Sequence, residues 1–265
     1  MKKVLTIAGS DSSGGAGIQA DIKTMTVHGV YAMSVVTALT AQNTTGVSGV
    51  QTVTPEFLKE QLDCIFSDIY PDAVKIGMLG NAELIRAAAE SLRRYPTEHV
   101  VLDPVMVSTS GSRLLDQEAV QALVDELAGM AELMTPNLPE TEALTGLRVR
   151  TPEEMERAAL LLYERTGCQI LCKGGHLTRT ADDLLCMDGR LIWIGGKRIS
   201  NPNSHGTGCT LSSAIACNLA LGHGLESSVR RAKAYLNGAL EAGLDLGKGS
   251  GPLDHMYALR AQSYE

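Results

Sequence analysis

Aromatic residues are scarce in this chain: 265 residues include two Phe and one Trp. A core built on large rings is thereby excluded, and packing falls to Val, Leu, Ile, Ala and Met. An excess of positive charge is also missing. The formal net charge is −7, which argues against nucleic acid or an anionic membrane as the main partner. A small anionic ligand is still allowed, because backbone dipoles and one or two lysines hold such groups locally. No run reaches the roughly 18 apolar residues of a membrane span. The first apolar run, Val4 to Ala8, is shorter than the roughly 7–15 residues of a signal-peptide core. A cytoplasmic protein is expected. Six cysteines, at 64, 168, 172, 186, 209 and 217, show neither pairing logic nor a zinc-ligand set. Five of them read as small buried hydrophobes, and no disulfide framework is expected.

What is present is ordinary globular composition, 44% hydrophobic and 20% charged. Short β-rich runs alternate with longer amphipathic ones. Strands are predicted at 4–8, 34–39, 73–77, 99–103, 132–135 and 169–173. Helices are predicted near 16–29, 55–69, 81–95, 116–129, 138–146 and 152–167, then about 207–221 and 225–243. Near-continuous apolar strands with helices between them indicate a parallel sheet covered on both faces. Two apolar runs around Asp188-Gly189 read as a hairpin, so the sheet should end in an antiparallel piece. No linker, composition break or repeat divides the chain, and a single domain over 1–265 is expected.

Polar and glycine-rich motifs fall at the predicted strand ends. GSDSSGGAG follows the first strand, AQN the second, IGMLG the third, DPVM the fourth, TPN the fifth and KGGH the sixth. Ligands of open parallel sheets bind at the carboxyl ends of the strands, so the motifs point to one composite site. Each also has a plain structural meaning. The glycines of 9–17 suit close approach of a ligand to backbone, or merely a tight strand-to-helix connection. Asp103 is a carboxylate placed for metal or phosphate, and Asp before Pro is also a turn former. Asn137 and Glu140 have the spacing of a helix cap, and equally could stand near a magnesium ion through its waters. Lys173 could neutralise phosphate or snorkel from the sheet edge. His176 and His205 are given no role.

HGTGCTLSSAIA, 205–216, spends Gly206, Thr207, Gly208 and Cys209 on the start of a helix. Free N–H groups and the positive end of the dipole make such a turn an anion hole. The same field favours thiolate at Cys209, whose pKa is then expected below the ordinary ~8.5; a buried structural cysteine is the alternative. The spacing of Leu211, Ala214, Ile215 and Leu219 predicts a helix that buries one face.

Taken together, GSDSSGGAGIQADIKT, TALTAQNT, VKIGMLG, VLDPVMV, TPNLPE, KGGH and HGTGCTLSSAIA resemble the hydroxymethylpyrimidine/phosphomethylpyrimidine kinases of thiamine biosynthesis, in the ribokinase-like superfamily. The resemblance runs from about residue 4 to His255. It implies an α/β/α sandwich, a homodimer, and use of ATP and Mg2+ to phosphorylate 4-amino-5-hydroxymethyl-2-methylpyrimidine and then its monophosphate. It also implies that Gln42 reads the aminopyrimidine edge, with Gly9, Asp21, Met78 and Val105 lining that pocket. The 206–209 turn would be the anion hole, with Cys209 in the place of a catalytic Asp and acting as base. Asp103, Asn137 and Glu140 would form the magnesium and phosphate region, and Lys173 would lie near the ATP phosphates. Thr109 stands where many members carry lysine, so that nucleotide contact does not transfer. A pyridoxal kinase shares the GTGC turn and is the nearest rival; a cysteine hydrolase and a non-catalytic pyrimidine or nucleotide sensor are the others.

Overall fold

Five consecutive residues of the first strand, Val4 to Ala8, are buried, and such a strand belongs inside a sheet covered on both faces. The computed structural model describes residues 1–106, 115–176 and 181–260, and Thr109 lies outside them. In chain order the elements begin β1 (Lys3–Asp11), α1 (Gly17–Val27), β2 (Tyr31–Asn43), β3 (Gly46–Thr52), α2 (Pro55–Asp68), β4 (Ala73–Ile76), α3 (Ala82–Arg94) and β5 (His99–Leu102). Next come α4 (Gln117–Ala122), β6 (Leu133–Met134), α5 (Leu138–Thr145), α6 (Pro152–Thr166) and β7 (Gln169–Cys172). The chain continues with β8 (Asp183–Met187), β9 (Arg190–Ile194), α7 (Thr207–Ala220), α8 (Leu225–Glu241) and a last turn, α9 (Tyr257–Arg260).

The strands form one nine-stranded sheet in the order β3-β2-β1-β4-β5-β6-β7-β8-β9. The pairs from β2 to β7 are parallel. The predicted hairpin is β8–β9, and Asp188 and Gly189 turn it with φ of 51° and 72°, as a two-residue hairpin requires. The opposite edge is antiparallel too: β3 pairs with β2, a strand absent from the sequence reading. β2 is also longer than predicted, running on through Asn43.

One apolar layer packs α2, α3 and α6, through Leu58, Leu62, Leu84, Ile85, Met155 and Leu162, onto Leu5, Ile7, Val74 and Ile76. The other packs α7 and α8 onto Val4, Ala73, Val101, Leu133 and Leu171. The result is the expected α/β/α sandwich. Helix starts follow their capping chemistry: Thr54, Asn81, Asp116, Asn137 and Thr151 each accept a backbone N–H. The predicted 116–129 helix is α4 followed by a π-helical turn at Leu123–Leu127 and a 3-10 turn at Ala128–Met130. The one-faced reading of α7 is corrected, since every residue from Thr210 to Ala220 is buried. Its polar side chains are satisfied inside: Ser212 Oγ donates to Gly208 O at 2.9 Å and Asn218 Nδ2 to Ala214 O at 2.8 Å.

Candidate active site

A cavity of about 720 Å³ opens at the carboxyl ends of the parallel strands. Gly9, Gln42, Met78, Asp103, Glu140 and Lys173 all line it, together with Thr207, Gly208 and Cys209. All six strand-end motifs therefore meet at one place. Chain order reverses between β1 and β4, which is where open α/β sheets form their binding crevice. The helix start at α7 is bare: Gly206 is its N-cap at φ 84° and no side chain caps the turn. Only glycine fits there. A Cβ on Gly206 would stand 2.0 Å from Gly15 O, so the loop after β1 and the turn before α7 touch backbone to backbone.

The charged wall stands against that turn. A Cβ on Gly208 would lie 3.2 Å from Asp103 Oδ2 and 3.5 Å from Lys173 Nζ. Lys173 Nζ donates to Asp103 Oδ1 at 2.9 Å, and Thr135 Oγ1 donates to the same oxygen at 3.1 Å. Glu140 Oε2 is 3.9 Å from Lys173 Nζ. Burial pushes the Glu140 carboxyl up to about 7, with Lys173 pulling it down and Asp103 adding to the rise. The two carboxylates holding Lys173 hold its ammonium charged despite burial. Once Glu140 ionises, above about pH 7, two carboxylates against one lysine leave negative charge that suits a hard cation keeping most of its waters. Asp103 and Glu140 fit that use, although no group of three metal-ligating side chains converges among the described residues. Asn137 is engaged as a cap: its Oδ1 accepts from Glu140 N at 2.9 Å while Glu140 Oε2 accepts from Asn137 N at 2.8 Å.

Gln42 lines the same cavity from the end of β2, its main chain held by Ser12 on both sides: Gln42 N donates to Ser12 Oγ at 2.9 Å and Ser12 Oγ donates to Gln42 O at 2.7 Å. Gly9 admits the Met78 methyl, which a Cβ would meet at 2.4 Å, and Val105 borders the same space. Asp21 is the correction here. It does not line the cavity. It is fully buried, bound to Lys75 Nζ at 3.0 and 2.9 Å, to Thr6 Oγ1 at 2.6 Å and to Ser213 Oγ at 2.7 Å. The pair needs each other, because an unpartnered charge at that depth is costly. A lysine inside the apolar run AVKIG was the available signal.

Two residues the sequence reading passed over also belong to the site. Asp11 accepts from the amides of Ser13, Gly15 and Ala16 at 2.8–3.0 Å and from His205 Nε2 at 2.9 Å. Burial would raise its carboxyl, but the bonds from His205, Ser13 and Ala16 outweigh it and hold the group well below the usual range. The expected low thiol pKa is overturned. Burial pushes Cys209 up to about 11, against the opposing pull of the Lys75 charge and the Gly17 amide, so desolvation beats the helix end.

A bare helix N-terminus, a cation and paired carboxylates around one cleft of a three-layer sandwich fit a phosphotransferase of the ribokinase-like fold. The comparisons agree: residues 11–254 match the phosphomethylpyrimidine kinase family, and the chain belongs to it. A hydroxymethylpyrimidine/phosphomethylpyrimidine kinase of Rhizobium meliloti is 48% identical over 257 residues, 96% of each chain. A thiamine biosynthesis bifunctional protein of Geobacter sulfurreducens is 49% identical over 96% of this chain, which spans 52% of that longer protein. Among solved structures, the ADP complex of Bacillus subtilis pyridoxal kinase is 36% identical with a TM-score of 0.90, covering 98% of this chain and 99% of its own.

Proposed function

We propose that this chain transfers the γ-phosphoryl of ATP to the hydroxymethyl group of 4-amino-5-hydroxymethyl-2-methylpyrimidine, and then to the phosphate so formed, acting as a homodimer. The observation that carries this reading is the uncapped α7 start sharing one cavity with Gln42. Phosphoryl transfer asks mainly for positioning and charge stabilisation, and alignment alone is worth about 7–11 kcal/mol. The amides of Gly208 and Cys209 hold the migrating group. Lys173 neutralises the phosphate chain, with Asp103 keeping its ammonium aimed. Asp103 and Glu140 would hold magnesium through its waters, where the ion neutralises triphosphate charge. Gln42 grips the amidine edge of the ring, and Cys209, as thiolate, takes the alcohol proton.

The test is mass spectrometry of products from ATP and each candidate alcohol. The pyrimidine alcohol should gain one and then two phosphates. The fold neighbour makes pyridoxal the competing substrate. Phosphate gained by pyridoxal and not by the pyrimidine would overturn the reading.

A further inference from the structure

The contacts around the Gln42 amide settle more than its position. Gln42 Nε2 lies 3.1 Å from His205 Nε2, and Gln42 Oε1 lies 3.3 Å from Thr40 Oγ1. Asp11 receives only donors apart from the imidazole, so its carboxylate is an acceptor and the 2.9 Å contact requires a proton on His205 Nε2. A protonated Nε2 cannot accept from the Gln42 amide. Thr40 has the matching problem, because its one hydroxyl hydrogen goes to Ser10 O at 2.7 Å. It can accept from Gln42 and cannot donate. Turning the amide by half a revolution relieves both: its nitrogen donates to Thr40 Oγ1, and its oxygen takes a share of the one Nε2 proton, which His205 divides between Asp11 and Gln42 in a three-centre bond. Oxygen and nitrogen of a glutamine are assigned by such networks, and this one favours the turned form.

We propose that Asp11 and His205 lock the Gln42 carboxamide with its oxygen toward His205 and its nitrogen toward Thr40, and that this lock decides which way round an aminopyrimidine enters the cavity. The inference rests on Gln42 being the residue that meets the ring. In the locked form one oxygen lone pair and one N–H are left for the ligand, in fixed order. An amidine edge offers the complement, an amine donor beside a ring-nitrogen acceptor. Reversing the amide would reverse the ring and carry the hydroxymethyl group, which neighbours the amine-bearing carbon, away from the phosphoryl. His205 is well held for this task. It is 5% exposed, its backbone N donates to Gly251 O at 3.1 Å, and a Cβ on Gly15 would strike the ring at 2.5 Å. It directly precedes Gly206, so one short stretch orients the acceptor end and the phosphoryl end of the site. Asp11 and His205 are positioning residues; neither needs to touch a reacting atom.

The test is a double-mutant cycle on the purified full chain, with magnesium-ATP and either the aminopyrimidine alcohol or its analogue lacking the 4-amino group. Wild type should favour the amino compound. His205→Phe fills the ring's space without a donor. It should raise KM for the amino compound roughly tenfold or more, the loss of about one hydrogen bond to a fixed partner, and erase most of the preference over the analogue. KM for ATP should not move. In a Gln42→Ala background His205→Phe should add nothing further. Should the aromatic ring unfold the turn, His205→Leu carries the same cycle, since it removes the donor with a smaller apolar side chain. Equal effects of the His205 change in both backgrounds, or an equal rise in KM for ATP, overturn the lock and leave the kinase reading standing. A wild-type chain that phosphorylates neither pyrimidine overturns both.

Discussion

At Cys209 two electrical effects meet, and the weaker one is the one a sequence displays. A helix start favours thiolate, yet burial holds the group up at about 11. Only the ionised fraction accepts a proton, so the rate should rise as pH climbs from 7 toward 10, with a slope near one on a logarithmic scale. Cys209→Ala should flatten that profile and lower kcat roughly 100-fold, the contribution of a general base. Pyrimidine affinity should change little, because the anion hole and Gln42 are untouched. Steady-state kinetics across pH checks both points. A Cys209→Ala enzyme with the wild-type slope would remove the thiol from the chemistry.

At the scale of elements, α5 shows how one pair serves two purposes. Asn137 and Glu140 form a complete capping box, the plain reading of their spacing, and the same carboxylate faces Lys173 at 3.9 Å. The two uses come apart by substitution. Asn137→Ala should lower stability by about 1 kcal/mol, as lost caps do, measurable by denaturant melts. Glu140→Gln keeps a good N3 partner and should fold normally while needing more magnesium for half-maximal rate. Equal magnesium dependence in both variants would reduce Glu140 to a cap. Much of this element plan was legible in the sequence, because glycine, Asp and Asn punctuate each strand end and Asp188-Gly189 marks its hairpin. β3 was not, since GVSGVQT carries two glycines and little apolar alternation, and its residues are half-buried or exposed. Nor was the packing of α7 on every side, which depends on α1 and α8 closing over serines and an asparagine.

The whole molecule adds effects that no local stretch contains. Asp21 joins Lys75 across 54 positions, and His205 joins Asp11 across 194. Neither pairing follows from spacing, so Asp21 reads locally as a pocket wall and the Asp11–His205 pair has no local signal. His255 is another long-range case: its Nε2 lies 3.0 Å from Thr210 Oγ1, and its carbonyl accepts from Tyr235 at 2.8 Å. Burial lowers its pKa to about 4. Between there and the ordinary 6.5 the unfolded chain binds the extra proton, so stability must fall as pH drops through that window. The loss is at most about 3 kcal/mol. His255→Gln should shrink the difference between denaturant midpoints at pH 7 and pH 4.5. The proposed homodimer belongs to this scale as well. Leu39 and Val50 are 55% and 51% exposed along the β2–β3 edge, and a bare edge with apolar side chains invites pairing. Val50→Lys should convert a particle of about twice 28.1 kDa to one of 28.1 kDa in sedimentation. A wild-type chain sedimenting at the smaller mass would dismiss the dimer.

The methyl-free seam between Gly15 and Gly206 has a consequence for biosynthesis. Its two sides leave the ribosome almost two hundred residues apart, so every strand of the sheet is synthesised before any phosphate could be gripped. Catalytic competence thus reports that the first loop and the penultimate long helix have docked, and a fragment ending ahead of that helix would be inert.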